Sequence, residues 1–516
     1  MRLTQTSDLW WKNAVVYCLD VETFHDSNGD GHGDFRGLID KIDHLHRLGV
    51  TCLWLMPFFP TPDRDDGYDI TDFYGIDPRL GTMGDFVEFV RTARDRGMRV
   101  IADLVVNHTS DQHPWFQAAR DPKSPFHDWY VWADEPPADA HEGVVFPDKE
   151  TSLWTYDRKA KKYYLHRFYR HQPDLNVANP QVRDEIARVM GFWMELGLSG
   201  FRVDAVPFLL EAPVEALPDP HEYLADLRAF LSRRNGEAIL LGEVNLPYTD
   251  AMAFFGGADG VGDELHMCFD FIGMQQMYLS LARQEASPLT HALKERPQPP
   301  RDCHWATFVR NHDELTLDKL TEPERQEVFA AFGPDEDMQL YGRGLRRRLP
   351  SMLGGDLRRI RMVYSLLFSL PGTPVLFYGE EVGMTEDLSQ EGRLAVRTPM
   401  WWDAVDEQRR DPESLLGWVR LLVERYRECP ELAWGAFSVI DSADPAVFAH
   451  RCEIDGGTVI AVHNLADRDA VVEVPKVEGV LTDLLVDGTV KPKKDGTAVV
   501  EVGPYGVRWF RQVVPA

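Results

Sequence analysis

Three short segments each close an apolar run with a carboxylate: Gly200-Phe201-Arg202-Val203-Asp204, Leu241-Gly242-Glu243 and Arg310-Asn311-His312-Asp313. A single Asp or Glu carries no weight in a chain with 83 of them. Three, each where a strand would give way to a loop, suit a chemistry that needs paired carboxylates, such as cleavage or transfer of a glycosidic bond. Residues i and i+2 of a strand face the same side, so Arg202 and Asp204 point together. The guanidinium would keep Asp204 ionised by charge and hydrogen bonding, as a nucleophile at a sugar's anomeric carbon requires. Glu243 is the candidate general acid, its proton retained through repulsion by neighbouring carboxylates. Asp313 is a third carboxylate, placed to bind and distort the ring.

Bringing these groups together needs a scaffold of parallel strands. Short apolar runs at Ala14–Leu19, Thr51–Leu55, Val100–Val106, Gly200–Asp204, Ala238–Glu243, Leu265–Asp270, Trp305–Val309 and Val375–Tyr378 read as strands. Helical patterns at Phe35–Leu48, Met83–Arg96, Pro180–Leu196, Pro220–Asn235 and Leu357–Leu370 lie between them. Eight strands alternating with helices predict an α/β fold, a closed (β/α)8 TIM barrel over 1–106 and 177–429. An open doubly wound sheet would carry a Gly-rich phosphate turn after its first strand, and none is present. Residues 107–176 lack the βα rhythm and are rich in Trp, Tyr, His, Asp and Pro, which predicts an inserted subdomain after strand 3 on the catalytic face. A second insertion, 321–355, could form a lid; its Arg346-Arg347-Arg348 run reads as a solvated helix face sooner than as a ligand contact. From about 430 to 516 the pattern turns β-rich with Asp-Gly turns, predicting a C-terminal antiparallel β-sandwich domain.

The formal net charge of −28 disfavours nucleic acid and anionic membrane surfaces as partners. No stretch reaches the length of a membrane span. Six cysteines occur without a CxxC pair, several inside apolar runs, and read as free thiols. With no apolar signal-type segment at the start, the expected location is cytoplasmic. Self-association into a homo-oligomer is left open.

Asp26-Ser27-Asn28-Gly29-Asp30-Gly31-His32-Gly33-Asp34 sets oxygen side chains at nearly every second residue, with glycines that permit tight curvature. Hard oxygen donors at that density suit Ca²⁺, with Mg²⁺ as the smaller alternative. It is not an EF-hand, because position twelve is Gly37 and not Glu.

Asp103-Leu104-Val105-Val106-Asn107-His108, Phe201-Arg202-Val203-Asp204, Glu243 and Asn311-His312-Asp313 match in order four motifs of the α-amylase family of glycoside hydrolases, which the chain resembles over nearly its whole length. The resemblance implies Asp204 as nucleophile, Glu243 as acid/base and Asp313 as transition-state stabiliser. It implies that Arg202, His108 and His312 bind the sugar at the cleaved end, that Tyr68 stacks on the first glucose, and that Asp69 grips its far hydroxyl and pairs with Arg397. Gln172 resembles the point where the insertion returns to the pocket rim. An Asp–Arg pair closing one side makes a blind pocket, suited to disaccharides. The family's calcium loop implies Asp26, Asn28, Asp30, the His32 carbonyl and Asp34 as ligands.

Asp65–Ile70, Asn107–Phe116, Arg310–Leu317 and Arg346–Pro350 resemble the trehalose synthase subgroup, whose second calcium site implies Asn107, Asp174, the carbonyls of Phe208 and Leu209, and Glu211. Such enzymes interconvert maltose and trehalose, holding glucose on the nucleophile while the freed glucose turns in a closed, water-free pocket. The expected partners are therefore maltose, trehalose and, as a further candidate, sucrose; no organic cofactor is expected. Two departures stand out by resemblance on the leaving-group side: Val244-Asn245-Leu246 where Ala-Asn-Gln is usual, and Trp401-Trp402 where Gln-Trp is usual. They keep an α-glucosidase or transglucosidase open as the alternative. A catalytically silent sugar-binding protein of the same fold is the non-enzyme alternative, and the presence of all three carboxylates argues against it.

Overall fold

The computed structural model describes residues 9–210, 219–257 and 260–513. Eight parallel strands close a barrel: β1 (Val16–Leu19), β2 (Cys52–Leu55), β3 (Arg99–Leu104), β4 (Gly200–Val203), β5 (Ile239–Gly242), β6 (Met267–Phe269), β7 (His304–Phe308) and β8 (Thr373–Phe377). Each pairs with its neighbour in sequence, and β8 pairs with β1. Both faces of these strands are buried, so they read as continuous apolar runs with no alternation. All eight predicted strands are present, mostly trimmed by one or two residues.

The predicted helices form at Phe35–Leu48, Met83–Asp95, Pro180–Glu195, His221–Arg234 and Leu357–Ser369. Their limits follow local chemistry. Asp34 caps the first by accepting from Gly37 N, and Gly49 ends it in the left-handed region at φ 92°. Thr82 and Asp85 make a reciprocal capping box on the second.

Residues 107–176 carry a helix, Pro114–Ala119, and a three-stranded sheet with Lys162–Leu165 between Trp132–Ala133 and Trp154–Asp157. Bridges between His108 and Asp174, and between Tyr130 and Leu175, close its base. The segment 321–355 holds a helix, Glu322–Phe332, and strands Gln339–Leu340 and Gly344–Leu345 that join Leu315–Thr316 in a small sheet. Its Arg346–Arg348 run is not a solvated face. Arg346 donates to the carbonyls of Gln390 and Leu388, Arg347 pairs with Glu386 at 2.9 Å, and buried Arg348 donates to those of Tyr378 and Val396. The run ties this segment to residues 386–396 beside the barrel mouth.

After helices Leu415–Glu428 and Pro430–Trp434, a six-stranded sheet from Ala436 onward faces a two-stranded one, Ala470–Val474 with Ala498–Val502. Ile460, Val462, Val472, Val500 and Phe510 fill the space between them. Among the described residues, no helix is long and apolar enough to cross a membrane.

Candidate active site

Strand register does most of the assembly. Arg202 on β4 lies opposite Asp103 on β3 and Leu241 on β5. The next pair is Val203 with Gly242, so Asp204 and Glu243 emerge side by side, each one residue past its strand. Asp204 N donates to the Leu104 carbonyl at 3.2 Å, and Glu243 N to that of Val203 at 3.1 Å. The glycine opening this motif is required by packing: a Cβ on Gly200 would sit 2.2 Å from the Ile239 carbonyl oxygen.

Arg202 is fully buried and joins the carboxylates. Its Nη1 donates to Asp204 Oδ1 at 2.6 Å and to Asp103; its Nη2 donates to Glu243 Oε2 at 2.6 Å. Trp54 lies 5.2 Å from the guanidinium and fixes Asp103 through Nε1 at 2.8 Å. The two terminal nitrogens of one guanidinium thus hold Asp204 and Glu243 on the same planar group. Ala205, directly after Asp204, has φ 47° and donates its N–H to Glu243 Oε2 at 3.2 Å. A non-glycine residue in that region is strained, and here the strain aims a backbone donor at the acid.

Asp313 stands on the loop after β7. Asn311 Oδ1 accepts from Asp313 N at 3.0 Å, and buried Arg310 donates to the carbonyls of Asn311 and Asp313. Arg397 Nη2 and Arg393 Nη1 reach Asp313 Oδ1 at 2.9 and 2.8 Å. His312 is buried beneath Tyr68: the rings stack with centres 5.6 Å apart, and Tyr68 Oη lies 2.7 Å from His312 Nε2. His108 lines the cavity with Nε2 3.2 Å from the Tyr68 carbonyl.

Two expectations need correction. Asp69 does not face the sugar pocket and does not pair with Arg397; it is fully buried, accepting from Thr61 Oγ1 and from the backbone N–H groups of Arg64 and Asp65. The carboxylate of this loop that pairs with Arg397 is Asp66, a non-glycine residue at φ 48°. Gln172 is also fully buried and does not line the cavity. Its Nε2 donates to Asp65 Oδ2 at 2.7 Å, and Asp65 is the group that lines the wall. The departures separate as well: Asn245 and Leu246 line the catalytic cavity, whereas Trp401 lines a different one.

Electrostatics divide the three acids. Burial raises Glu243 to about 7, against the lowering pull of Arg202 and with the charges of Asp204 and Asp313 adding to the rise. Burial also outweighs Arg202 at Asp204, which stands at about 6 and is therefore mostly ionised at neutral pH. Burial acts to raise Asp313 too, but Arg393, His312, Arg397 and Arg202 overcome it and hold that carboxyl well below the usual range. Burial lowers His108 to about 3, so it is neutral at pH 7. The set is an acid that keeps a proton near neutrality and two carboxylates that do not, the division glycosyl transfer demands.

The cavity over these groups measures about 490 Å³, within the range of small-molecule sites. Phe146 lines one wall, where three chain segments meet. Phe146 stacks on Tyr169 with ring centres 4.5 Å apart and meets Tyr341 at 4.9 Å. Arg393 lies 5.2 Å over Phe146 and Arg343 5.3 Å over Tyr341, and Glu314 gathers both guanidinium groups at 2.7 and 3.1 Å. Arg393, Asp65 and Asp66 were not among the expected site residues. The two Asp residues stand in the segment Asp65–Ile70, whereas nothing local marks Arg393.

On the Asp26–Asp34 loop, Asp26 accepts from the N–H groups of Asn28, Gly29 and Gly31, Asn28 from Asp30 N, and Asp30 from His32 N. Asp34 is turned inward onto Ser27 and Gly37. At the second expected site, Asn107 and Asp174 adjoin through Leu175 N to the Asn107 carbonyl and the His108–Asp174 bridge; Phe208 and Leu209 lie on the short helix Val206–Leu209, and Glu211 lies outside the described residues. Among the described residues, no three His, Cys, Asp or Glu side chains gather as a metal ion would require, so amide and carbonyl oxygens would complete either shell.

Comparison with known proteins agrees with this geometry. Residues 20–328 match the α-amylase catalytic domain. A trehalose synthase of Thermus thermophilus is 41% identical over 97% of this chain, which spans 55% of that protein's length. A trehalose synthase of Pimelobacter sp. is 39% identical, with 98% of this chain and 96% of that protein covered. The solved α-amylase from H. orenii superposes with a TM-score of 0.80 at 26% identity, covering 97% of this chain and 99% of its own. With its three acids set at the mouth of one barrel and its sequence matched over more than half its length, the chain belongs to the α-amylase family.

Proposed function

We propose that this protein is a retaining α-glucoside isomerase of the trehalose synthase type, interconverting maltose and trehalose. Asp204 attacks the anomeric carbon of the non-reducing glucose while Glu243 protonates the departing glycosidic oxygen. The bond to that oxygen breaks and glucosyl-Asp204 forms. The freed glucose turns within the cavity and attacks through its anomeric hydroxyl; Glu243 takes the proton, and Asp204 leaves. Asp313, held ionised, stabilises the cationic character of the ring in the transition state of each step. The single observation that carries the proposal is the Arg202 bridge from Asp204 to Glu243 beside a cavity that Phe146 lines. Isomerisation requires that water be kept from the glucosyl ester, and the named relatives support the isomerase reading.

A second reading, α-glucosidase or transglucosidase, draws on Leu246. It lines the cavity with a side chain that cannot hydrogen-bond an acceptor sugar, where the subgroup usually carries Gln. Incubation with maltose, trehalose and sucrose separately decides between them: trehalose from maltose supports the isomerase, and glucose alone the hydrolase.

Calcium belongs to the same proposal. The side-chain oxygens of Asp26, Asn28 and Asp30, on a loop curled by Gly29 and Gly31 at positive φ, fit a hard cation, while Asp34 is largely committed to its helix cap. Asn107 and Asp174 would hold a second ion with the carbonyls of Phe208 and Leu209. Either ion would brace loops beside the site and take no part in proton or glucosyl transfer. A cytoplasmic location is supported by six free, buried cysteines.

A further inference from the structure

Trp401 is the one tryptophan of the 14 that lies open to solvent, at 41% exposure. It stands on a cavity of about 920 Å³ that shares no lining residue with the catalytic one. The two are separated by a thin wall. Arg397 and Asp66 line the outer cavity, and the other nitrogen of the same guanidinium holds Asp313 in the inner one. We propose that this outer cavity is a second saccharide-binding site, taking a neutral glucose-containing sugar stacked on Trp401.

The floor is rigid. Met400 N donates to the Thr23 carbonyl at 2.9 Å and Trp402 Nε1 to that of Phe24 at 2.6 Å, with the Trp402 ring packed edge-on against Phe24 and His44. Helix Trp402–Gln408 begins directly after Trp401, so the exposed indole is carried on a fixed backbone. No aromatic ring or cation covers its face and its Nε1 has no partner among the described residues, unlike Trp402, which has Lys41 4.6 Å over its ring. A pyranose presents an apolar C–H face that fits an open indole, and hydroxyl pairs that carboxylates accept. Asp403 supplies such an acceptor at the rim, together with Glu22 and Asp387, which also accept from His32 and Arg79 and from Ser389 and Gln390. The acidic wall disfavours phosphates and other anions, and the open indole face favours a pyranose. The volume accommodates a disaccharide.

The α-glucoside reading enters only in the choice of probe. Equilibrium binding of labelled maltose is measured on the D204N variant, in which turnover is blocked. Two maltose molecules per chain are expected. D204N/W401A and D204N/W401Q should bind one, and D204N/W401Y, which restores a stacking face, should bind two. W401Q alone should keep kcat/KM for maltose within about twofold of the parent, because Trp401 touches nothing in the catalytic cavity. One maltose per chain in D204N that is indifferent to position 401 overturns the proposal, as do two per chain in both W401A and W401Q backgrounds. A single maltose that is lost with W401A and W401Q would retain the outer site and instead count against the inner one.

Discussion

The Arg202 guanidinium, with no exposed surface, donates from Nη1 to Asp204 Oδ1 at 2.6 Å while its other terminal nitrogen holds Glu243. One planar fork therefore sets both the place and the charge of nucleophile and acid. A lysine ammonium is a point charge and cannot span the two. R202K is expected to fold with the same far-ultraviolet circular dichroism and to lose about 10²-fold or more in kcat, because a misplaced nucleophile is costly even when its charge is balanced. A kcat within threefold of the parent would show that the bridge is incidental.

The pH profile follows from two groups. Asp204 must be ionised and titrates at about 6; Glu243 must be protonated and titrates at about 7. As pH falls through 6 the nucleophile takes up a proton and the rate drops; as pH rises through 7 the acid loses its proton and the rate drops again. Activity on maltose should be bell-shaped, with its maximum between these values. His108, lowered by burial to about 3, adds no limb. With an activated glucosyl fluoride, which needs no acid for its first step, initial glucosylation by E243Q should lose the basic limb and keep the acidic one.

Asp66 and Asp69 make a paired test of the pocket wall. D66N frees Arg397 from one partner and disturbs its hold on Asp313, so kcat should fall about 10-fold or more with little change in Tm. D69N removes charge from a fully buried acceptor of several loop N–H groups. Its Tm should fall by about 1–3 degrees, from roughly 1–3 kcal/mol of weakened hydrogen bonding, with kcat of the folded fraction within about threefold. Kinetics and a thermal melt on both variants separate the roles.

The Phe146 wall bears on selectivity more than on rate. F146A removes the ring that stacks on Tyr169 and supports Arg393. Water then reaches glucosyl-Asp204, and the share of glucose among the products of maltose should rise several-fold while total maltose consumption changes less. Product ratios by ion chromatography give the result directly.

The barrel was legible because fully buried parallel strands leave short apolar runs that stand out between helices. Helix Phe271–Arg283 was not, because most of its residues are buried and apolar side chains cover more than one face, which blurs a 3.6-residue period. Asp204 and Glu243 could be read from their positions at strand ends, and Asp313 from the Asn311-His312-Asp313 motif on the loop after β7. The partner of Arg397 could not. Asp66 and Asp69 stand three residues apart in one loop, and which of them turns inward is fixed by the left-handed backbone at Asp66 and by the Thr61 hydroxyl that holds Asp69. Arg393 left no trace, since its contacts with Asp313, Glu314 and Phe146 join segments far apart in sequence. The Arg346–Arg348 run misled because a basic stretch is usually solvated, whereas here backbone carbonyls and Glu386 take up its donors.

Covalent trapping tests the central claim most directly. E243Q supplied with α-glucosyl fluoride should form the ester, since fluoride leaves without an acid, and then stall because no base activates the acceptor. Peptide mass spectrometry is expected to find one hexosyl group on Asp204. Fluoride release with no adduct on the chain, or an adduct on any other residue, would contradict the account.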